Sequence, residues 1–292
     1  MMKLAIHGRG FSDQTAPYIK EVLDFISSKG SNLILSDQFV EQNQSSDIDL
    51  SAYKTFSKSA NRLDVDAIIS LGGDGTLLET LLYVNDQEVP IMGINTGRLG
   101  FLATIAKQDI NTALECLYDK NYKLEERVLI HMDSNIELFD GYNFAMNEFA
   151  IIKKDTSSMI NVKCYIDDQF LNSYWSDGLI VSTPTGSTGY SLSCGGPIMF
   201  PNQENFIITP ISPHNLNVRP LIVSANSRIS FQIESRNRNF LVSLDSRSVT
   251  VDNTVNLSLK KEKFKAKLIN LANYSFPDTL RKKLNWGLDL RN

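Results

Sequence analysis

Ala67-Ile68-Ile69-Ser70-Leu71-Gly72-Gly73-Asp74-Gly75-Thr76-Leu77-Leu78-Glu79-Thr80-Leu81-Leu82-Tyr83-Val84 is the stretch whose reading decides the fold. Residues 67–71 read as a buried strand and Thr76 to Val84 as a helix, with a glycine-rich turn between them. A strand that runs through such a turn into a helix is one step of a parallel α/β sheet. Glycines in that place let backbone N–H groups approach a phosphate closely, and the helix N-terminus adds partial positive charge. Gly72, Gly73, Gly75 and Thr76 are therefore candidate phosphate-binding residues. An aspartate would repel phosphate unless it has a task, and one such task is to take a proton from an attacking hydroxyl. The plainer reading is that Asp-Gly marks a turn and that Asp74 caps the helix at Thr76 or beyond.

Outward from this stretch the same alternation continues through the first ~120 residues. Lys3 to His7 reads as a strand ending in the turn-prone Gly8-Arg9-Gly10. Ile19, Val22, Leu23 and Ile26 fall at helical spacing, and Lys29-Gly30 closes that helix. Asn32 to Leu35 and Pro90 to Ile94 read as strands, and Ile110, Ala113, Leu114 and Leu117 mark a further helix. Asp37 to Asp49 is polar and patternless and reads as a surface loop. From about Lys123 the period changes to two: Val162, Cys164, Ile166; Ile229, Phe231, Ile233; Val255, Leu257, Leu259; and, less cleanly, Lys263 to Asn270. This is the pattern of half-buried antiparallel strands. Pro277 to Trp286 returns to helix, with Leu280, Leu284 and Trp286 on an apolar side. The expected architecture is an α/β N-terminal domain (1–122), an all-β, sandwich-like C-terminal domain (123–274), and a C-terminal helix (275–292) that docks back on the N-terminal domain.

The chain has 292 residues, 42% hydrophobic and 21% charged, enough for a sizeable core. A net charge of −4 argues against a general nucleic-acid binder, so any phosphate site must be local. Cys116, Cys164 and Cys194 show neither metal-ligand spacing nor a disulfide framework, as in a reducing, cytoplasmic compartment. No apolar run approaches the ~20 residues of a membrane span, and no signal-peptide core stands at the start.

Two further stretches carry chemistry. Asp177-Gly178-Leu179-Ile180-Val181-Ser182-Thr183-Pro184-Thr185-Gly186-Ser187-Thr188-Gly189-Tyr190-Ser191 runs a short strand into a loop dense in glycine and hydroxyls, extended by Cys194-Gly195-Gly196-Pro197. Such a loop can offer N–H and O–H donors to a ligand while Tyr190 stacks on a ring; the alternative is a long, flexible surface loop. Asn147-Glu148 sets an amide beside a carboxylate, suited to reading a base and a ribose. Neighbouring strand residues face opposite ways, so both can serve one ligand only if the strand ends or bends there. Otherwise the pair is simply solvated.

These three stretches, in this order, resemble the NAD kinase family. So do Asn95-Thr96-Gly97-Arg98-Leu99-Gly100-Phe101-Leu102, Thr209-Pro210-Ile211-Ser212-Pro213-His214, Arg219-Pro220-Leu221, Tyr274-Ser275-Phe276 and Leu280-Arg281-Lys282-Lys283-Leu284. The resemblance covers nearly the whole chain. The Asp177–Ser191 stretch is its most specific part, because the glycine-aspartate turn is shared with phosphofructokinases and lipid kinases. It implies phosphorylation of the adenosine 2′-hydroxyl of NAD by ATP, another nucleoside triphosphate or polyphosphate, giving NADP. It also implies a divalent metal, usually magnesium, carried with the ATP, and a homodimer or homotetramer. Carried over by position, Asp74 is the general base and Gly75 lies beside the ligand. Asn147, Glu148 and Asp177 contact the dinucleotide, and Thr188, Gly189, Tyr190, Ser191, Leu192 and Ser193 line its pocket. Gly189 stands where the family usually has alanine. Arg247, in Asp245-Ser246-Arg247, stands where some members carry an amide, and as a fixed cation it could favour the dinucleotide phosphates.

The remaining candidates are bland. His7, His131 and His214 are read as structural. Arg98 is either near a phosphate or solvated. Lys260 to Lys267 is read as the solvent face of a strand. No metal cage is evident, so magnesium is expected to ride on the triphosphate. The rivals are a sugar or lipid kinase with the same turn, disfavoured by Asn147-Glu148 and the hydroxyl-rich loop, and a non-catalytic NAD(P) sensor, disfavoured by the charge of Asp74.

Overall fold

The computed structural model describes residues 1–44, 46–59, 62–97, 100–154, 158–235 and 238–286. The chain forms two compact units: Met1–Glu126 with Ala266–Asn292, and Arg127–Lys265.

The first unit is built on an eight-stranded sheet. Its main path runs Lys54–Phe56, Asn32–Ser36, Lys3–Gly8, Ala67–Leu71, Ile91–Asn95, Ala266–Leu271 and Tyr122–Arg127. The first five of these strands are parallel neighbours. Ile19, Val22, Leu23 and Ile26 of the Ala16–Ser28 helix share one core with Ile110, Ala113, Leu114 and Leu117 of the Ile110–Tyr118 helix and with Leu4 and Ile6 of the sheet. The helix after the glycine turn spans Asp74–Val84, so it begins at the aspartate itself, two residues ahead of the threonine expected to open it.

Two segments differ from the sequence reading. Asp37–Gln42 is a helix within the stretch read as loop. Its start is fixed by the Ser36 hydroxyl, which accepts from the Phe39 amide, and Phe39 is fully buried. A helix this short shows too little periodicity to be read, although serine ahead of an acidic first turn is a cap signal. The strand read at 263–270 is Ala266–Leu271, and it pairs parallel with Ile91–Asn95 in the first sheet. Most of its residues are buried, which is why its alternation was poor: a strand covered on both faces does not alternate.

The Phe276–Leu284 helix belongs to this first unit. Ser275 caps it, and Phe276, Thr279 and Leu280 are its buried residues. Trp286, expected on the apolar side, is 53% exposed. No helix among the described residues is long and apolar enough to cross a membrane.

The second unit is a sandwich of two six-stranded sheets. One orders Leu221–Ser224, Asn205–Ile211, Gly178–Ser182, Glu148–Lys153, Asn239–Leu244 and Arg247–Asp252. The other orders Gln169–Ser176, Ile160–Ile166, Ile229–Glu234, Leu257–Lys261, Ile130–Ser134 and Phe144–Ala145. Every neighbouring pair is antiparallel. Inward residues of both sheets make one core, with Phe149 stacked on Phe231 at 5.5 Å between centroids. Gly178–Ser182 is buried at every position. Its outward residue Ile180 joins Ala150 and Ile211 in a second, smaller cluster beneath Cys194, so the chain after this strand folds back over the sheet.

Candidate functional site

In the first unit the turn sits at the C-terminal end of Ala67–Leu71, where ligands bind open parallel sheets. The glycines divide into two kinds. A Cβ on Gly72 would fall 2.3 Å from the Thr76 hydroxyl, so that residue is glycine for packing. A Cβ on Gly73 or Gly75 would meet nothing within 4 Å. The fold does not need glycine at those two positions, whereas a ligand lying against the backbone would.

Asp74 is held, and not as a helix cap. Gly73 is the N-cap residue, without a side-chain cap bond. The Asp74 carboxylate instead accepts three successive backbone amides: Phe101 at 2.8 Å, Leu102 at 3.0 Å and Ala103 at 3.0 Å. A Cβ on Gly100 would stand 1.7 Å from the Asp74 Oδ1, so only glycine lets that loop close on the carboxylate. Sequence reading singled out Asn95–Leu102 without giving it a task; here its far end orients Asp74. Arg98 lies outside the described residues.

In the second unit the structure brings Asn147, Glu148, Gly189, Asp245 and Arg247 together. Phe144–Ala145 pairs in one sheet and Glu148–Lys153 in the other, so the chain switches sheets across Met146-Asn147. This meets the condition that the pair needs a bend. The corner is fixed by Asp245, whose carboxylate accepts the amides of Met146 (2.9 Å), Asn147 (2.7 Å) and Glu148 (3.1 Å). Asp245 stands at φ 53° in the two-residue turn between Leu244 and Arg247, which pair; aspartate tolerates this left-handed conformation. Sequence reading gave Asp245 no role, although an Asp-Ser turn between two alternating strands was the available signal.

Burial raises the Asp245 carboxyl above its ordinary value despite the three amides and Arg247. Burial, helped by the charge of Asp245, pushes Glu148 up to about 8. Glu148 Oε2 is buried with no hydrogen-bond partner among the described residues. A Cβ on Gly189 would come within 3.1 Å of that oxygen, so the missing methyl leaves room beside it. The Asn147 main-chain carbonyl accepts from the Thr183 amide at 2.9 Å.

Arg247 is engaged by main chain and by rings. Its guanidinium donates to the carbonyls of Tyr142 (2.6 Å) and Phe144 (2.5 Å) and lies over the rings of Phe139 and Phe144. Two of its N–H groups thus hold the segment leading to Asn147.

The hydroxyl-rich loop is built structure, in place of the flexible alternative. Thr185–Thr188 is a 3₁₀ turn and Tyr190–Ser193 a short helix. Its hydroxyls serve the loop itself: Thr183 donates to the Met146 carbonyl, Ser187 to the Pro184 carbonyl, and Ser191 pairs with Thr209 at 2.9 Å. A Cβ on Gly186 would fall 2.0 Å from the Asn147 carbonyl oxygen, which ties the loop to the corner. Thr188 Oγ1 donates to the Thr185 carbonyl. Leu192 is half-buried, and Ser193 and Tyr190 are exposed, so among these residues Ser191 is the most enclosed. The Tyr190 hydroxyl is raised by burial and by the charges of Cys194 and Asp177, and Lys153 Nζ lies 2.6 Å from Asp177 Oδ1.

Comparison with known proteins follows the two units. Residues 4–122 match the ATP-NAD kinase N-terminal domain and residues 146–271 the ATP-NAD kinase C-terminal domain. The NAD kinase of Cytophaga hutchinsonii is 53% identical over 292 residues, covering all of both chains. A crystal structure of yeast NADH kinase complexed with NADH superposes with a TM-score of 0.86 at 23% identity, over 100% of this chain and 89% of that one. An NAD kinase from Archaeoglobus fulgidus in complex with ATP gives a TM-score of 0.75 at 26% identity, over 97% of this chain and 99% of that one. Matches over both units place the protein among the kinases. It belongs to the ATP-NAD kinase family.

Proposed function

We propose that the protein transfers the terminal phosphoryl group of ATP, or of a related polyphosphate donor, to the adenosine 2′-hydroxyl of NAD, giving NADP. The observation that carries this reading is the Asp74 carboxylate, held by three amides at the mouth of a turn whose Gly73 and Gly75 have open space beside them. Asp74 accepts the 2′-hydroxyl proton as that oxygen attacks the terminal phosphorus. The N–H groups that open the Asp74–Val84 helix point out of its end and take up phosphate charge.

Asn147 and Glu148 hold the dinucleotide, with the Glu148 carboxyl toward a ribose hydroxyl pair. Tyr190, 41% exposed, offers its ring, and Asp177 and the backbone of 188–193 complete the wall. Arg247 acts through the segment it pins. Among the described residues no three acidic, histidine or cysteine side chains converge, a donor set that suits magnesium carried mainly by triphosphate oxygens and water. When bound, the ion neutralises donor charge.

We also read the protein as a cytoplasmic homodimer or homotetramer. Leu221 and Ile222 are exposed on the edge strand of one sheet and Trp175 on the edge strand of the other, and such edges call for cover. Incubation of purified protein with ATP, magnesium and NAD, followed by glucose-6-phosphate dehydrogenase readout of NADP, tests the activity. NADP formation supports it, and its absence with folded protein overturns it. Light scattering tests the assembly.

A further inference from the structure

Ser182 ends a strand that is buried at every position, and the fold leaves its hydroxyl unused. In the stretch that follows, the hydroxyls of Thr183, Thr185, Ser187, Thr188 and Ser191 each have a hydrogen-bond partner. Ser182 is fully buried, and its Oγ has no partner among the described residues. A buried hydroxyl without a partner costs free energy, so a serine in this place calls for a task.

Register names its neighbours. Ser182 stands opposite Glu148 on one side and the apolar Ile207 on the other. The Glu148 main chain turns away from Ser182: its amide donates to the Asp245 carboxylate and its carbonyl accepts the Asp245 amide. Glu148 and Ser182 are therefore a narrow, non-hydrogen-bonded pair, with Cα atoms about 4.5 Å apart and side chains on one face. It is the face of Ile180, over which the chain folds back, with Ser191 of the covering segment bonded to Thr209 opposite Ile180. Two buried oxygens without partners, Glu148 Oε2 and Ser182 Oγ, thus belong to one cross-strand pair. Asp245 is the charge that bears on Glu148, and Arg247 bears on Asp245 in turn. The covering segment brings Tyr190 and Cys194, both pushed up by burial and so neutral, and the Gly178–Ser182 strand brings no titratable group. Burial and Asp245 push Glu148 up to about 8, so its carboxyl is neutral at pH 7. A carboxylate can accept from both hydroxyls of a ribose, whereas a protonated carboxyl spends one oxygen as a donor. Ionising Glu148 there needs a donor, and the Ser182 hydroxyl is one, a rotation about its Cα–Cβ bond away.

We propose that Ser182 is a positioning residue for the dinucleotide: when a ribose hydroxyl pair meets Glu148, the carboxyl gives its proton to water and the Ser182 hydroxyl donates to the carboxylate that remains. The inference rests on the reading that Glu148 holds a ribose of the dinucleotide. It adds the group that lets Glu148 ionise in a buried place, and it makes NAD capture release a proton. Because the Ser182 bond favours the ionised form in the complex, its contribution is present at high pH and is lost as pH falls and Glu148 stays protonated in the complex too.

The test is calorimetry of NAD binding to the intact protein, in buffers of different protonation enthalpy. The parent should release most of one proton near pH 7, and Ser182→Ala clearly less. Ser182→Ala should bind NAD about tenfold more weakly than the parent near pH 8, the loss of one hydrogen bond to a charged group, and the two should converge near pH 5. Its melting temperature should not fall, because the hydroxyl removed has no partner in the free protein. In a Glu148→Gln background, proton release should vanish and Ser182→Ala should cause no pH-dependent loss. In turnover assays the Michaelis constant for NAD should rise more than that for ATP. Parental affinity of Ser182→Ala at both pH values, an equal loss at both, or a parent that binds NAD without releasing a proton would each overturn the positioning role. A parent that binds NAD with proton release yet forms no NADP would leave this role standing and overturn the proposed reaction instead.

Discussion

Asp74 and Asp245 make the same pattern in different units. Each carboxylate accepts three successive main-chain amides, 101–103 for one and 146–148 for the other. Their surroundings differ. Asp245 occupies a tight hairpin turn, is raised by burial, and has the cation Arg247 and the ionisable Glu148 as neighbours. Its bonds tie down the corner where the chain passes between sheets. Asp74 opens a helix, and the glycines on either side of it leave room for something the protein does not itself provide. A triple amide cradle is therefore a way of fixing a carboxylate. The space around the carboxylate decides whether it serves as an anchor or as a reagent.

The sharpest way to break this comparison is to remove the charge of Asp74. Asp74→Asn should lower turnover about 10²–10⁴-fold and leave NAD affinity near the parent's, as read by NADP formation and calorimetry. Near-parental turnover would make Asp74 a second anchor. Gly100→Ala attacks the cradle rather than the charge. Its methyl carbon cannot coexist with a carboxylate oxygen 1.7 Å away, and misplacing the carboxylate by about 1 Å costs about 10²-fold in rate. An unaltered rate would mean that the 101–103 amides are not what sets Asp74 for reaction.

For the anchor, loss should fall on stability first. Asp245→Ala leaves three amides without their acceptor, at about 1–3 kcal/mol for each that stays buried, so thermal unfolding should drop by several degrees, with a raised Michaelis constant for NAD through the displaced Asn147-Glu148. A variant as stable as the parent would remove the anchor role. The smallest effect concerns pH. Glu148 has a folded value of about 8, above its ordinary 4.5, so its stabilising contribution is full below about 4.5 and is lost as pH rises through 8. Melting temperatures followed from pH 5 to 9 should fall more steeply for the parent than for Glu148→Gln. Parallel curves would mean that burial does not hold Glu148 protonated.

Elements with a strong period were legible in sequence. The Ala16–Ser28 and Ile110–Tyr118 helices and the Ile160–Ile166 and Ile229–Glu234 strands announce which face they bury. Asp37–Gln42 was not, because one short capped helix carries no repeat. Neither was the destination of Ala266–Leu271, because a strand does not state its partner. At the site, glycine and aspartate types pointed to Asp74, but the amides that hold it come from main chain almost 30 residues on, where composition says nothing. Arg247 shows the same limit: its charge was legible, whereas its two carbonyl partners lie over 100 residues away.

The return of Ala266–Leu271 to the first sheet bears on how the chain is made. That strand lies between Ile91–Asn95 and Tyr122–Arg127, yet a ribosome finishes residues 127–265 before producing it. The first sheet thus waits with an open slot while the whole sandwich is synthesised, and the sandwich, contiguous in sequence, has all its strands in hand first. The two strands that lead into and out of the sandwich are neighbours in that sheet, about 4.8 Å apart. Synthesis from the N-terminus therefore completes the middle of this protein before its beginning.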